Sequence, residues 1–221
     1  MKIKDKARTI IIKGLTLHLK GIPLKNMVKL GNRPLISYSI DIAKKLKSDG
    51  FVKKAIISTD SKLIANFAIR NNIEVPFLRP IGISGDKAKS IDFVLHALDY
   101  YQNKDVHFNS VLILQPTSPF REYEEVANAI SLFLRSDEDS LISAYQEDVI
   151  NELVMYKING EKGIPFNSRH NQGVRRQEHE KIFIRNGAIY ITNVKYLKTK
   201  KKIISDFPLV FKMKKSTSIN I

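Results

Sequence analysis

A chain of 221 residues with 43% hydrophobic content can bury one sizeable core and carry a small excursion beside it. It has no cysteine, which excludes disulfides and thiolate metal ligands, and no apolar run approaches the ~18 residues of a membrane helix. A net charge of +15 suits a nucleic-acid surface, an acidic small substrate or a lysine-rich solvated exterior, and charge alone does not choose among them. No basic stripe interleaved with aromatic residues accompanies the charge, so a nucleic-acid partner is not expected. The start, Met1 to Lys6, is basic but no apolar signal-peptide core follows it, and a cytoplasmic location is the expectation.

In chain order, Thr9–Gly14 (TIIIKG) is β-rich and ends at a glycine. Pro34 stands where a first helical turn tolerates proline, and Leu35, Ile36, Ile40, Ala43 and Leu46 then recur at helical spacing. Lys54–Ser58 (KAIIS) reads as a buried strand. Asp60 is the expected cap of a helix whose face is Leu63, Ile64, Phe67 and Ala68. Val75–Leu78 reads as a third short strand. Ser90 precedes an amphipathic helix bearing Ile91, Val94, Leu95 and Leu98, where it can serve as the cap. Ser110–Leu114 (SVLIL) is a fourth strand, a helix is expected from about Glu122 to Arg135, and Leu141–Ala144 is a fifth strand.

This alternation predicts an α/β fold, a mostly parallel sheet with helices on both faces. Ligands of such sheets bind beyond the carboxyl ends of the strands. After Ala144 the pattern changes. Leu153–Ile158, a turn at Asn159–Gly160 and a strand at Ala188–Thr192 suggest hairpin material, and Asn167–Lys181 is a long polar connection. The expectation is one domain over 1–221, with 146–186 as a β-rich excursion.

Five segments carry residues suited to chemistry. Lys20-Gly-Ile-Pro-Leu-Lys25-Asn26 follows the first strand, where two lysines five apart can hold a polyphosphate and Gly21 lets the backbone approach it; an ordinary basic turn is the alternative. Ser58-Thr59-Asp60 ends a strand and reads equally as a helix cap. Leu78-Arg79-Pro80, followed by Ser90-Ile-Asp92, offers Arg79 to a base or phosphate, and Ser90 to a ligand or to its own helix. In Gln115-Pro-Thr-Ser-Pro-Phe-Arg121, two prolines stiffen a loop that presents Gln115, donor and acceptor both, to a sugar hydroxyl or amide. Arg175-Arg176-Gln177 can clamp a carboxylate, and Arg185-Asn186-Gly187-Ala-Ile-Tyr190 brings a tyrosine hydroxyl suited to a polyol.

Taken in order, Lys-Gly-Ile-Pro-x-Lys-Asn, Ser-Thr-Asp, Leu-Arg-Pro, Gln-Pro-Thr-Ser-Pro-x-Arg, Arg-Gln and Asn-Gly-Ala-Ile-Tyr-Ile resemble the acylneuraminate cytidylyltransferases, from about Ile10 to the last residue. The resemblance implies a Rossmann-like nucleotide-binding sheet, and a homodimer formed through the β-rich excursion. It also implies a reaction of CTP with a sialic-acid-type nonulosonic acid that releases pyrophosphate with Mg²⁺. By the same match Lys20 and Lys25 are catalytic, Lys20, Lys25 and Asn26 serve the nucleotide, and Arg79 and Ser90 lie near its cytidine. Gln115, Arg176, Asn186 and Tyr190 face the sugar acid, with Arg176 as its carboxylate partner. No metal-ligating residue is assigned, and the five histidines show no ligand spacing.

Two departures accompany the resemblance. Where the family reads Ala-Arg-Gly-Gly-Ser before Lys-Gly, this sequence has Leu15-Thr16-Leu17-His18-Leu19, which adds bulk where a triphosphate backbone cradle is expected. The family's late Ser-[Ile/Val]-Asp-x-Asp supplies metal carboxylates; here Ser218-Ile219-Asn220-Ile221 carries a neutral amide at the first of them, and Mg²⁺ prefers anionic oxygens. The alternative reading is therefore a member that binds a sugar acid, or supports a partner, without transferring a nucleotide. A nucleotidyltransferase for another sugar or nucleotide is a third.

Overall fold

The computed structural model describes residues 8–13, 24–85, 88–148, 152–173 and 181–221. Its strands are β1 (Arg8–Lys13), β2 (Lys29–Leu30), β3 (Arg33–Pro34), β4 (Lys54–Ser58), β5 (Ser110–Leu114), β6 (Ser140–Glu147), β7 (Tyr156–Asn159), β8 (Lys162–Pro165), β9 (Ile182–Asn193) and β10 (Leu209–Met213). Its helices are α1 (Leu35–Ser48), α2 (Lys62–Arg70), α3 (Ser90–Gln102), α4 (Tyr123–Leu134) and α5 (Val194–Lys200).

Six strands form the central sheet in the order β10-β6-β9-β5-β1-β4. The β1–β4, β1–β5 and β10–β6 ladders are parallel, whereas β9 runs antiparallel to both β5 and β6. The sheet is thus parallel apart from one reversed strand, in agreement with the α/β expectation. Strand alternation sorts its side chains between two cores. Ala55, Ile57, Leu112, Leu114, Ile189 and Ile191 pack on one face, against α1, α2 and α4. Ile56, Val111, Ile113 and Tyr190 pack on the other, against α3 and α5. Helices cover both faces.

Several local expectations are corrected. Val75–Leu78 does not form a strand. It lies along β4 through two isolated parallel bridges, Ile56 with Glu74 and Thr59 with Leu78. Pro76 has no N–H to donate between them, so the ladder cannot run through. Ser61, not Asp60, caps α2, its Oγ accepting from Ile64 N at 3.4 Å. Ser90 is the first residue of α3 and Lys89 the residue at its cap, where the Asp92 carboxylate takes the Lys89 N–H at 2.9 Å.

The β7–β8 hairpin is a two-stranded sheet apart from the main one. A 3-10 turn, Glu152–Val154, occupies the first half of the expected strand Leu153–Ile158. The hairpin loop is Gly160–Glu161, one residue later than expected, with Gly160 at φ 62°. The β6–β9 ladder continues to Glu147 opposite Ile182. Residues 146–147 and 182–186, assigned from sequence to the excursion, therefore belong to the main sheet. β10 and α5 were not expected.

Candidate functional site

The parallel strands β4, β5 and β6 end at one rim, and the reversed β9 begins there, since Glu147 pairs with Ile182 and Leu114 with Ile189. At that rim a cavity of about 140 Å³ opens beyond β5. Its polar lining is Ser90, Gln115, Arg185 and Tyr190, and Phe93 and Ile113 belong to its apolar wall. Ser90, Gln115 and Tyr190, expected on opposite sides of a nucleotide–sugar junction, are brought into one space.

Gln115 is held firmly. Its carbonyl accepts from Ser118 N at 3.2 Å and from Arg121 Nη1 at 2.8 Å. Arg121 is 3% exposed; it also donates to Ala188 O at 2.9 Å and to Ser39 Oγ, so one guanidinium ties the post-β5 loop to β9 and α1. Burial without a carboxylate partner pushes its pKa down to about 9, which leaves it a cation at neutral pH. The sequence quoted Arg121 only as the end of a motif; nothing in a sequence marks a surface-type residue as a buried clamp.

Gly187 stands among these groups at φ 76°, a conformation L side chains rarely adopt. A β-carbon there would lie 3.6 Å from the Tyr190 hydroxyl, 3.6 Å from Asn220 Nδ2 and 4.0 Å from Gln115 Oε1. The backbone thus passes between three polar groups of the site.

Asn186, 6% exposed, spends its side chain on the protein. Its Oδ1 accepts from Ser143 Oγ at 2.6 Å and Ala188 N at 3.1 Å, and its Nδ2 donates to Ser218 Oγ at 2.8 Å. With Ile221 N donating to Thr117 O at 2.8 Å, this pins residues 218–221 across the rim and sets Asn220 beside Gly187. Asn186 therefore organises the wall of the site.

Arg79, 4% exposed, is likewise engaged internally. Its Nε donates to Ser84 Oγ at 3.0 Å, its Nη1 to Ser58 O at 3.4 Å, and its Nη2 lies 3.5 Å from Asp60. Burial lowers its pKa and Asp60 opposes that shift. Lys25 begins a 3-10 turn, Lys25–Met27, entered through Leu24 at φ 53°, and Asn26 in that turn is fully buried. Neither lines the cavity. Lys20, Arg175, Arg176, Gln177 and Leu15–Leu19 lie outside the described residues.

Among the described residues no group of three or more His, Asp or Glu side chains could hold a metal, and none of those lining the cavity is a carboxylate. Asn220 offers a neutral amide, and Mg²⁺ prefers hard anionic oxygens in octahedral geometry. The donor set of the described residues does not fit a protein-held Mg²⁺.

A larger cavity, about 530 Å³, lies at the opposite end of the sheet, where Ser110 begins β5 and Asn193 ends β9. Its lining contains none of the candidate site residues named from the sequence, and ligands of such sheets bind at the other rim.

Comparison with known proteins bears on the family and the fold. Residues 19–215 match the family model described as Cytidylyltransferase. N-acylneuraminate cytidylyltransferase of Streptococcus agalactiae serotype III is 30% identical over 205 residues, covering 91% of this chain and 47% of that protein. CMP-N,N'-diacetyllegionaminic acid synthase of Legionella pneumophila is 40% identical over 113 residues, 51% of this chain and 47% of that protein. The chain spans about half the length of these curated relatives. Among solved structures, CMP:2-keto-3-deoxy-manno-octonic acid synthetase complexed with CTP superposes with a TM-score of 0.67 at 12% identity, over 94% of this chain and 90% of that one. At that identity the likeness is one of fold.

Proposed function

The chain belongs to the cytidylyltransferase family, and from that premise we propose that it joins CMP from CTP to a sialic-acid-type nonulosonic acid. The anomeric hydroxyl oxygen attacks the α-phosphorus; the new O–P bond forms as the bond to the β-phosphate oxygen breaks. Pyrophosphate leaves with that electron pair and the hydroxyl proton is released. Such a transfer needs positioning and charge stabilisation but no protein nucleophile. Lys20 and Lys25 are the proposed cations on the phosphate side, with Asn26, Arg79 and Ser90 toward the nucleotide. Gln115, Arg176, Asn186 and Tyr190 are proposed on the sugar side, Asn186 acting through the wall it holds.

The observation that carries this reading is the convergence of Ser90, Gln115 and Tyr190 on one cavity beyond β5. The names of the relatives support the substrate class. We place the reaction in the cytoplasm, with Mg²⁺ arriving as the counterion of CTP, and the working unit as a homodimer. The last is supported by the β7–β8 hairpin, which leaves Val154, Tyr156, Ile158, Ile164 and Phe166 exposed. Two strands alone are marginal in water, and burying that surface against a second copy would stabilise them.

A second reading, sugar-acid binding without transfer, is favoured by one observation, the neutral Asn220 in a rim whose described cavity lining has no carboxylate. One experiment separates the two. The protein is incubated with CTP, Mg²⁺ and a panel of nonulosonic acids while pyrophosphate is followed. Release with at least one acid is expected. No release with any, together with thermal stabilisation by a sugar acid but not by CTP, would replace transferase with binder.

A further inference from the structure

The 140 Å³ cavity has an uneven chemistry. Its described lining contains two hydroxyls, one amide, apolar side chains and a single formal charge, that of Arg185. The other described arginines near the rim are committed elsewhere: Arg79 to Ser84, Ser58 and Asp60, and Arg121 to three acceptors. Arg185 is exposed and has neither an ion pair nor a side-chain hydrogen bond among the described residues. Among the described residues that line this cavity it is the one cation, and its donors are unspent.

Its presence there is a built feature. Arg185 and Tyr190 are five apart on β9, and in a regular strand residues five apart point to opposite faces. Both nevertheless line the same cavity. Between them the β6–β9 register breaks, with Ile142 opposite Tyr190 and Ala144 opposite Arg185, and Gly187 adopts φ 76°. A bulge of this kind re-aims the side chains on one side of it. Here it brings Arg185 and Tyr190 to the same cavity.

We propose that Arg185 is a specificity-determining residue of this site, binding the carboxylate of the acidic sugar. The proposal rests on the reading of the substrate as a nonulosonic acid, and gives Arg185 the carboxylate role that the resemblance assigned to Arg176, which lies outside the described residues. A guanidinium meets a carboxylate through two parallel N–H···O bonds, which a lysine cannot reproduce. The neighbouring Phe93, Ile113, Ile203 and Ile204 lower the local dielectric and strengthen the pairing. Tyr190 and Gln115 are then placed for hydroxyls of the same sugar.

The test is calorimetric titration with N-acetylneuraminate, with N,N'-diacetyllegionaminate and with the carboxamide of each, using wild type, Arg185→Ala and Arg185→Lys. CTP is titrated in parallel, and thermal melts establish that each variant is folded. Wild type is expected to prefer at least one acid over its carboxamide. Arg185→Ala should weaken that acid on the order of 10- to 100-fold and abolish the preference while leaving CTP affinity unchanged. Arg185→Lys should fall between. If wild type binds an acid and Arg185→Ala binds it equally well with the same preference, the inference is overturned and the substrate reading stands. If wild type binds CTP but neither acid, the substrate reading falls and the inference with it.

Discussion

Replacing Arg121 by methionine tests how the rim is held. Methionine matches much of the side chain's length but donates nothing. Ala188 O would lose the donor at 2.9 Å, Ser39 Oγ would lose its partner, and Gln115 O would retain only the 3.2 Å bond from Ser118 N. A buried acceptor left without a donor costs about 1–3 kcal/mol. Ala188 O and Ser39 Oγ are in that position, and Gln115 O contributes less because one donor stays. Against this stands the relief of removing a buried cation that no carboxylate neutralises. The balance is a loss of about 3 kcal/mol, a large share of the ~5–15 kcal/mol that stabilises most domains. At about 2–4 °C per kcal/mol for a chain of this size, the melting temperature should fall by about 6–12 °C. Urea unfolding should show the midpoint shifted with the slope unchanged. A drop of less than ~2 °C would refute the reasoning, because it would mean the three acceptors find other donors.

Two further predictions follow from the charge pattern and the hairpin. Burial raises the pKa of Glu74, but hydrogen bonds from Tyr101 and Lys54 outweigh it and the net shift is downward from 4.5. The unfolded state then binds the proton first, so this contribution to stability is present above pH 4.5 and is lost as pH falls through the lower folded value. Wild type should melt above Glu74→Gln at pH 7, and the gap should close below pH 4.5; a gap that persists in acid would locate its origin elsewhere. Ile158 is 75% exposed on β7, and Ile158→Glu should convert a dimer to a monomer in sedimentation velocity with the fold intact. A wild-type protein that sediments as a monomer at tens of micromolar would remove the second copy from the proposal.

What the sequence made legible follows from how each element is buried. KAIIS and SVLIL became β4 and β5 at the expected residues because both are almost continuously apolar runs, buried on both faces and bounded by polar residues. β10 (LVFKM) alternates half-buried and exposed positions at a sheet edge, with only Met213 buried, and contains a lysine, so its pattern is that of many loops. Val75–Leu78 had the composition of a strand, but Pro76 removed the donor it needed. In the site, Gln115 was found because two prolines fix the loop that presents it. Arg185 was hidden by the rule that works elsewhere: strict alternation puts it on the face away from Tyr190. The bulge that overrides the rule left one trace, the Asn186–Gly187 dipeptide, a pair that favours positive φ.

The reversed course of β9 has an architectural consequence. Because Glu147 and Ile182 are rung partners, the chain leaves the sheet after one and re-enters it beside the same place at the other. Topologically the intervening segment is an enlarged hairpin loop, and loops whose two ends already meet can lengthen, shorten or be exchanged at small entropic cost. Exchanging that insert would change the surface the scaffold presents beside the rim, while Gln115, Tyr190 and the bulge beside them keep their places.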